Sequence, residues 1–152
     1  MKVRHAVSAD ALKVSAYLKE LTALGKRTLP DDAAFVQDNY IDNPVNIQCV
    51  VAEDVDGSIL GLQVLKRATD GNAFGVEPGW GMIGTHVSPH AARRGVGKAL
   101  FKSTCAAAQK AGLTQIDASI PVDNVDGQAY YEAIGFRTYR TLTGKICKCY
   151  NL

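Results

Sequence analysis

The sequence predicts an α/β domain, a sheet flanked by helices, on three observations. Trp80 to Val87 (WGMIGTHV) has the apolar, β-branched character of a buried strand, and Pro89 ends the run by denying the ladder a donor. The stretch from Ser88 to Leu100 (SPHAARRGVGKAL) turns on two glycines into a helix: Val96, Leu100, Ala107 and Ala111 share one arc, Lys98, Lys102 and Gln109 another. Further apolar runs bounded by turn signals lie on both sides of this unit, interleaved with helical patterns.

Met1 to Val7 alternates as an opening strand, and Ser8 is placed to cap a helix running to about Leu24, whose Ala11, Val14, Leu18 and Leu21 are spaced three and four apart. Lys13, Lys19 and Glu20 are left for water, and Gly25 stops the helix. After the basic loop Lys26-Arg27-Thr28, Pro30-Asp31-Asp32 opens a second, shorter helix through about Tyr40 with a thin apolar face of Ala33, Val36 and Tyr40. Asn46 to Val55 and Ser58 to Thr69 read as strands joined at Asp56-Gly57, and their apolar residues on both faces place them inside a covered sheet. Thr69 to Gly79, with three glycines and little periodicity, reads as a mobile connection. Beyond the central unit and its stop at Gly112 come a strand (Leu113 to Ile120), a short helix (Asp123 to Ala133) and a closing hairpin (Phe136 to Leu142, Lys145 to Tyr150) turning at Thr143-Gly144. No repeat, low-complexity tract or linker divides the chain, so residues 1–152 are expected to form one domain.

The turn before the third helix has the ingredients of an anion site. Gly95 and Gly97 remove side chains where backbone N–H groups would approach a ligand, and a helix's first turn leaves its N–H groups unpaired. Arg93, Arg94 and Lys98 add charge, as does His90 when protonated; a solvated basic helix start is the plainer alternative. A nucleotide P-loop is excluded, because Gly97-Lys98 is followed by Ala99 and the required upstream glycine is Ala92. The spacing also disfavours a dinucleotide fingerprint.

With 152 residues, 47% of them hydrophobic, the chain can bury a real core. A net charge of +2 is too small to argue for nucleic acid or an acidic membrane, and an Arg93-Arg94 patch without interleaved aromatics adds little. No apolar run spans a bilayer and no leader is evident at Met1, so a soluble, cytoplasmic protein is expected. Cys49, Cys105, Cys147 and Cys149 form no CxxC pair and no zinc spacing with the histidines; free thiols and no bound metal are expected.

A second informative stretch runs from Val122 to Phe136 (VDNVDGQAYYEAIGF). Asn124 opens a helix, Tyr131 falls two turns along it, and Gly135-Phe136 breaks it into an apolar strand. Downstream of the Arg94-Gly95-Val96-Gly97 turn, this order resembles the GNAT superfamily of N-acetyltransferases, whose signatures are a Q/R-x-x-G-x-G/A turn and an Asn-x-x-A-x-x-x-Y-E-x-x-G-F segment. Ala92 stands where the first signature has Gln or Arg, and Gly127 replaces the Ala of the second; Asn124, Tyr131, Glu132, Gly135 and Phe136 match. The resemblance extends to the order of elements over nearly the whole chain. It implies a mixed, mostly antiparallel sheet with a splayed central parallel strand pair, here Gly84 to Ser88 and Leu113 to Ile120, flanked by helices.

The same resemblance implies acetyl-CoA as co-substrate, with pantetheine in the splay along Thr85, His86 and Val87, and pyrophosphate on the N–H groups of Arg94, Gly95, Val96, Gly97, Lys98 and Ala99. Ala92, Arg93, Asn124 and Tyr131 complete the expected cofactor-binding set. The Val87 N–H would stabilise the oxyanion while an amine attacks directly, and Tyr131 would protonate the departing thiolate. Tyr130, a hundred degrees away on the helix, is expected to face elsewhere. Members with a carboxylate base carry it early in the strand, where this chain has Trp80 and Gly81. Three candidates stand in: His86, for its ordinary pKa and place in the strand; Glu77, in the glycine-rich loop; and a water chain.

For Lys26 and Arg27 a solvated loop is the plainer reading and a clamp for an acceptor's carboxylate the sharper one. Trp80 is core or cleft wall. The function that follows is N-acetylation of the amine of a small metabolite or amino-acid-like compound. Peptide or protein N-termini are a second substrate class, and a non-catalytic acyl-CoA-binding or partner module is the alternative. The apolar closing strands, with Ile146 and Tyr150, offer an edge for a homodimer.

Overall fold

Strand alternation and helical periodicity sort the apolar residues onto two faces of a single sheet. The structure, a computed structural model, describes residues 1–91 and 93–152. Its strands are β1 (Lys2–His5), β2 (Asn46–Glu53), β3 (Ile59–Arg67), β4 (Gly81–Val87), β5 (Gln115–Pro121), β6 (Arg137–Leu142) and β7 (Lys145–Asn151). Its α-helices are α1 (Asp10–Ala23), α2 (Ala33–Val36), α3 (Val96–Lys110) and α4 (Val125–Ala133). Along β3, Leu62 and Val64 pack with Val14, Tyr17 and Leu18 of α1 and Val36 of α2, whereas Leu65 packs with Phe101 of α3, Ile116 of β5 and Phe136. Helices α1 and α2 thus cover one face, and α3 and α4 the other.

The sheet order is β1-β2-β3-β4-β5-β7-β6. Every neighbouring pair is antiparallel except β4 and β5, which the α3 crossover makes parallel. That pair is joined only at Gly81–Ile116 and Met82–Asp117. Beyond Met82, β4 follows β3 as far as Val87 and β5 follows β7 through Pro121, so the sheet opens between them. The expected splay is present.

Four local expectations are corrected. Ser8 does not cap α1; Ala9 holds the cap position with no side-chain bond. Instead the Asp10 carboxylate accepts from the Val7 N–H (2.8 Å) and from Arg4 (2.9 Å), because a buried carboxylate with a bidentate guanidinium partner ties β1 to α1 more firmly than a hydroxyl cap. The second helix is capped by Asp32, which accepts from the Phe35 N–H, and its α-turns stop at Val36, giving way to a π-turn from Gln37 to Ile41. That widened turn brings Tyr40 onto the core.

The buried stripe of α3 is Val96, Leu100, Phe101, Thr104 and Ala108, rather than the arc through Ala107 and Ala111, because α3 lies against Gly61 of β3, where an added Cβ would come 2.9 Å from Val96 Cγ1. The Thr69 to Gly79 connection is not loose. The Arg140 guanidinium donates to the Phe74 and Gly75 carbonyls, Asn72 bonds Thr69 and Val76, and Val76 is buried. The four cysteines are free thiols. No helix of the described residues is long and apolar enough to cross a membrane.

Candidate active site

The opening between β4 and β5 frees backbone groups as well as space. The Ser88 N–H donates to the Leu60 carbonyl, so Ser88 and, by alternation, His86 turn their N–H groups toward β3, and those of Val87 and Thr85 point into the gap. At the top of β4 the chain makes a short 3₁₀ turn, Pro89–Ala91, then passes through Arg93 at φ 64° and Gly95 at φ 74° before α3 starts. Left-handed residues at this spacing turn successive N–H groups to one side. No side chain caps α3, and its first bond is Ala99 N–H to the Gly95 carbonyl. The N–H groups of Val96, Gly97 and Lys98 therefore have no hydrogen-bond partner among the described residues, in a cleft of about 410 Å³ lined by Val87, Ala91, Arg93, Gly95, Val96, Gly97, Lys98 and Tyr130.

The charges around this cleft divide. Arg93 and Lys98 line it, whereas Arg94 turns away to Asp54, 2.9 Å distant in the β2–β3 turn, and His90 pairs with Glu20 of α1. The Arg94 side chain was expected at the anion and lies elsewhere because an acidic turn was nearer. Ala92 lies outside the described residues.

Four polar side chains form a hydrogen-bonded cluster behind Tyr130, which lines the cleft. Gln63, fully buried on β3, donates through Nε2 to Thr85 Oγ1 (2.9 Å) and to the Tyr130 hydroxyl (3.0 Å). The Tyr131 hydroxyl lies 2.8 Å from the same Thr85 oxygen, and Tyr130 donates to the Gly97 carbonyl at 2.8 Å. The expectation that only one tyrosine faces the site is therefore corrected: the two rings lie 4.9 Å apart and both hydroxyls reach it, one at the strand and one at the turn. Burial raises both phenols, Tyr130 to about 12 and Tyr131 further, against the lowering pull of the Thr85 bond. Both are protonated donors at neutral pH.

Gly97 answers to Tyr130, since a Cβ there would stand 2.4 Å from the ring. The remaining residues of the second signature make contacts within the fold. The Asn124 oxygen caps α4 on the Gly127 N–H, Glu132 pairs with Lys148 and Arg137, Gly135 sits at φ 112° and Phe136 is fully buried.

A sequence profile of the acetyltransferase (GNAT) family matches residues 15–136. The chain belongs to this family. Solved structures share its fold at low identity. A GCN5-related N-acetyltransferase from Kribbella flavida is 22% identical over 99% of this chain and 97% of its own, with a TM-score of 0.77. A Salmonella typhimurium protein solved with its cofactor acetyl-CoA is 17% identical over 99% and 93% of the two chains, with a TM-score of 0.70. The ribosomal-protein-alanine N-acetyltransferase of Brucella melitensis is 16% identical over the whole of both chains, with a TM-score of 0.72. A search of curated proteins by sequence finds no match.

The opposite face of this GNAT sheet, under α1 and α2, carries Met82, Gly84 and His86 of β4. The His86 ring stacks on Tyr40 at 4.6 Å, and its Nδ1 lies 3.3 Å from Arg27 Nη1. A guanidinium only donates, so Nδ1 accepts and the ring proton sits on Nε2. Burial first, then the charges of Arg27 and Lys66, push the His86 pKa down to about 3. The ordinary pKa expected from sequence does not hold, and the neutral ring presents a donor, not a base, at Nε2. Arg27 is not solvated either. It is buried, with Nη2 donating to the Pro30 carbonyl and the Tyr40 hydroxyl. Glu77 is exposed in the connection ahead of β4, and Trp80 is half-buried with its ring 5.5 Å from Tyr139.

Sequence reasoning missed Gln63, Asp117, Tyr40 and Lys66 as members of the site. A Gln inside an apolar strand run was the one available signal, since a buried amide needs partners. Asp117 is buried on β5, where it accepts from Ser119 (2.9 Å) and Tyr139 (2.5 Å). No group of three or more His, Cys, Asp or Glu side chains placed to hold a metal ion occurs among the described residues.

Proposed function

We propose that the protein transfers an acetyl group from acetyl-CoA to the primary amine of a small metabolite or amino-acid-like acceptor by direct attack. The observation that carries this reading is the meeting of the Tyr131 hydroxyl with Thr85 on the open edge of β4, one strand's length from the uncapped α3 turn. The fit of acetyl-CoA is supported by this chain's own groups. The free N–H groups of Val96, Gly97 and Lys98 suit the pyrophosphate, with Arg93 and Lys98 beside them. The gap-facing N–H groups of Thr85 and Val87 suit the pantetheine amides and the thioester carbonyl, and Gln63 Oε1, buried without a partner, is an acceptor left over in the same cluster.

In this reading the neutral amine attacks the thioester carbon from the α1/α2 face, and the Val87 N–H stabilises the oxygen as it gains charge. The carbon–sulfur bond then breaks, and the Tyr131 hydroxyl gives its proton to the sulfur. The amine's proton leaves through water toward Glu77, because His86 carries its proton on Nε2. Thiol release from acetyl-CoA, followed across a panel of amines, amino acids and peptides, tests the reading; release that no amine raises above the hydrolytic background would leave a cofactor-binding module without transfer.

A further inference from the structure

Resting on the N-acetyl transfer reading, we propose that the acceptor carries a carboxylate as well as its amine. Lys66 on β3, backed by Arg27 behind Tyr40, holds that carboxylate at the α1/α2 face of the gap. The two cations frame one aromatic ring: Arg27 Cζ lies 5.8 Å and Lys66 Nζ 5.9 Å from the Tyr40 centroid. Neither has an acidic partner. The ion pairs among the described residues engage Arg4, His90, Arg94, Arg137, Arg140 and Lys148. Arg27 is nine-tenths buried and its Nε has no hydrogen-bond partner, while burial lowers the Lys66 pKa. A buried guanidinium and a half-buried ammonium with no carboxylate between them are costly to the fold, and a bound anion offsets that cost.

The placement suits an amino acid. Lys66 pairs in register with Met82, and Met82 with Asp117, so Lys66 and Asp117 project from the same face on either side of β4, about 10 Å apart at their Cα atoms by strand spacing. The positive side is where a carboxylate rests; Asp117 opposite is already paired with Arg140 at 3.9 Å and accepts from Ser119 and Tyr139, so the anchor is Lys66. Between Met82 and His86 stands Gly84, where the β4 backbone carries no side chain and is closely flanked: a Cβ there would come 3.3 Å from Val64 Cγ1 and 3.5 Å from His86 Nε2. His86, on the same face of β4, carries its ring proton on Nε2 and would donate it to a molecule anchored by its carboxylate on Lys66.

The test measures calorimetric binding of free amino acids, and of the methyl esters of the same amino acids, to the CoA-loaded protein, with thiol release recorded separately. At least one acid is expected to bind roughly 10-fold more tightly than its ester, with Lys66→Met abolishing the preference, Lys66→Arg keeping it, and acetyl-CoA affinity unchanged in both. Equal binding of acid and ester, no binding of any acid, or a preference that survives Lys66→Met would overturn the carboxylate site. An acid that binds with this preference but releases no thiol supports the site and sinks the transfer reading. Turnover of amines with no regard to a carboxylate sinks the site and leaves transfer standing.

Discussion

The Tyr131 hydroxyl lies 2.8 Å from Thr85 Oγ1, tying α4 to the strand edge that β5 leaves unpaired. Tyr131→Phe keeps the ring, which packs 5.0 Å from Phe136, and deletes only the proton donor. A thiolate leaves more readily than an alkoxide, so kcat is expected to fall by roughly 10² with acetyl-CoA affinity nearly unchanged. Full turnover in this variant would remove tyrosine acid catalysis from the mechanism.

Tyr130 separates from its neighbour in the opposite sense. Its hydroxyl serves the Gly97 carbonyl and Gln63, so Tyr130→Phe is expected to raise the KM for acetyl-CoA several-fold while kcat falls less than in Tyr131→Phe. Steady-state kinetics of the two variants side by side check the division.

Gly97→Ala places a methyl 2.4 Å from the Tyr130 ring and is expected to cost about 1–3 kcal/mol of stability, the usual range for overpacking. Adding Tyr130→Leu removes the obstructing ring edge, and the double variant is expected to melt above Gly97→Ala alone. If the two changes only add, the ring is not the cause.

The anion turn separates its cations. Lys98 lines the cleft while Arg94 is engaged by Asp54. Lys98→Ala is expected to weaken acetyl-CoA binding roughly 10-fold and Arg94→Ala less than about twofold, since one charge-assisted bond contributes about 1.5 kcal/mol. Titration calorimetry reads both, and the reverse order would move the pyrophosphate toward Arg94.

His86 makes stability depend on pH in a defined window. Its folded pKa is depressed to about 3, while the unfolded chain titrates near 6.5. Above about 6.5 neither state is protonated and the stabilisation is complete; below it the unfolded chain takes up the proton first, and stability falls by up to about 1.4 kcal/mol per pH unit toward the folded pKa. His86→Asn keeps an acceptor for Arg27 and cannot titrate. Denaturant unfolding between pH 7 and 4.5 is expected to show a shallower loss in the variant, and parallel slopes would refute the assignment.

Order and type of the elements were legible in the sequence alone, because hydrophobic period, glycine stops and turn pairs are local properties. They placed β4, the glycine turn and α3, and α4 with Asn124 at its cap. The two signatures likewise led to the family, since a left-handed Gly95 before a helix and a tyrosine two turns beyond a cap are set by short-range geometry. What only the tertiary structure decided was which side chains meet. The turn from Gln37 to Ile41 put Tyr40 on His86, burial beside Arg27 moved the histidine's pKa, Asp54 took Arg94 from the anion turn, and Gln63 reached both Thr85 and Tyr130. Each of these joins residues far apart in the chain, and no periodicity records such a pairing. Their charges and hydrogen bonds take their strength from how much water the packed fold excludes.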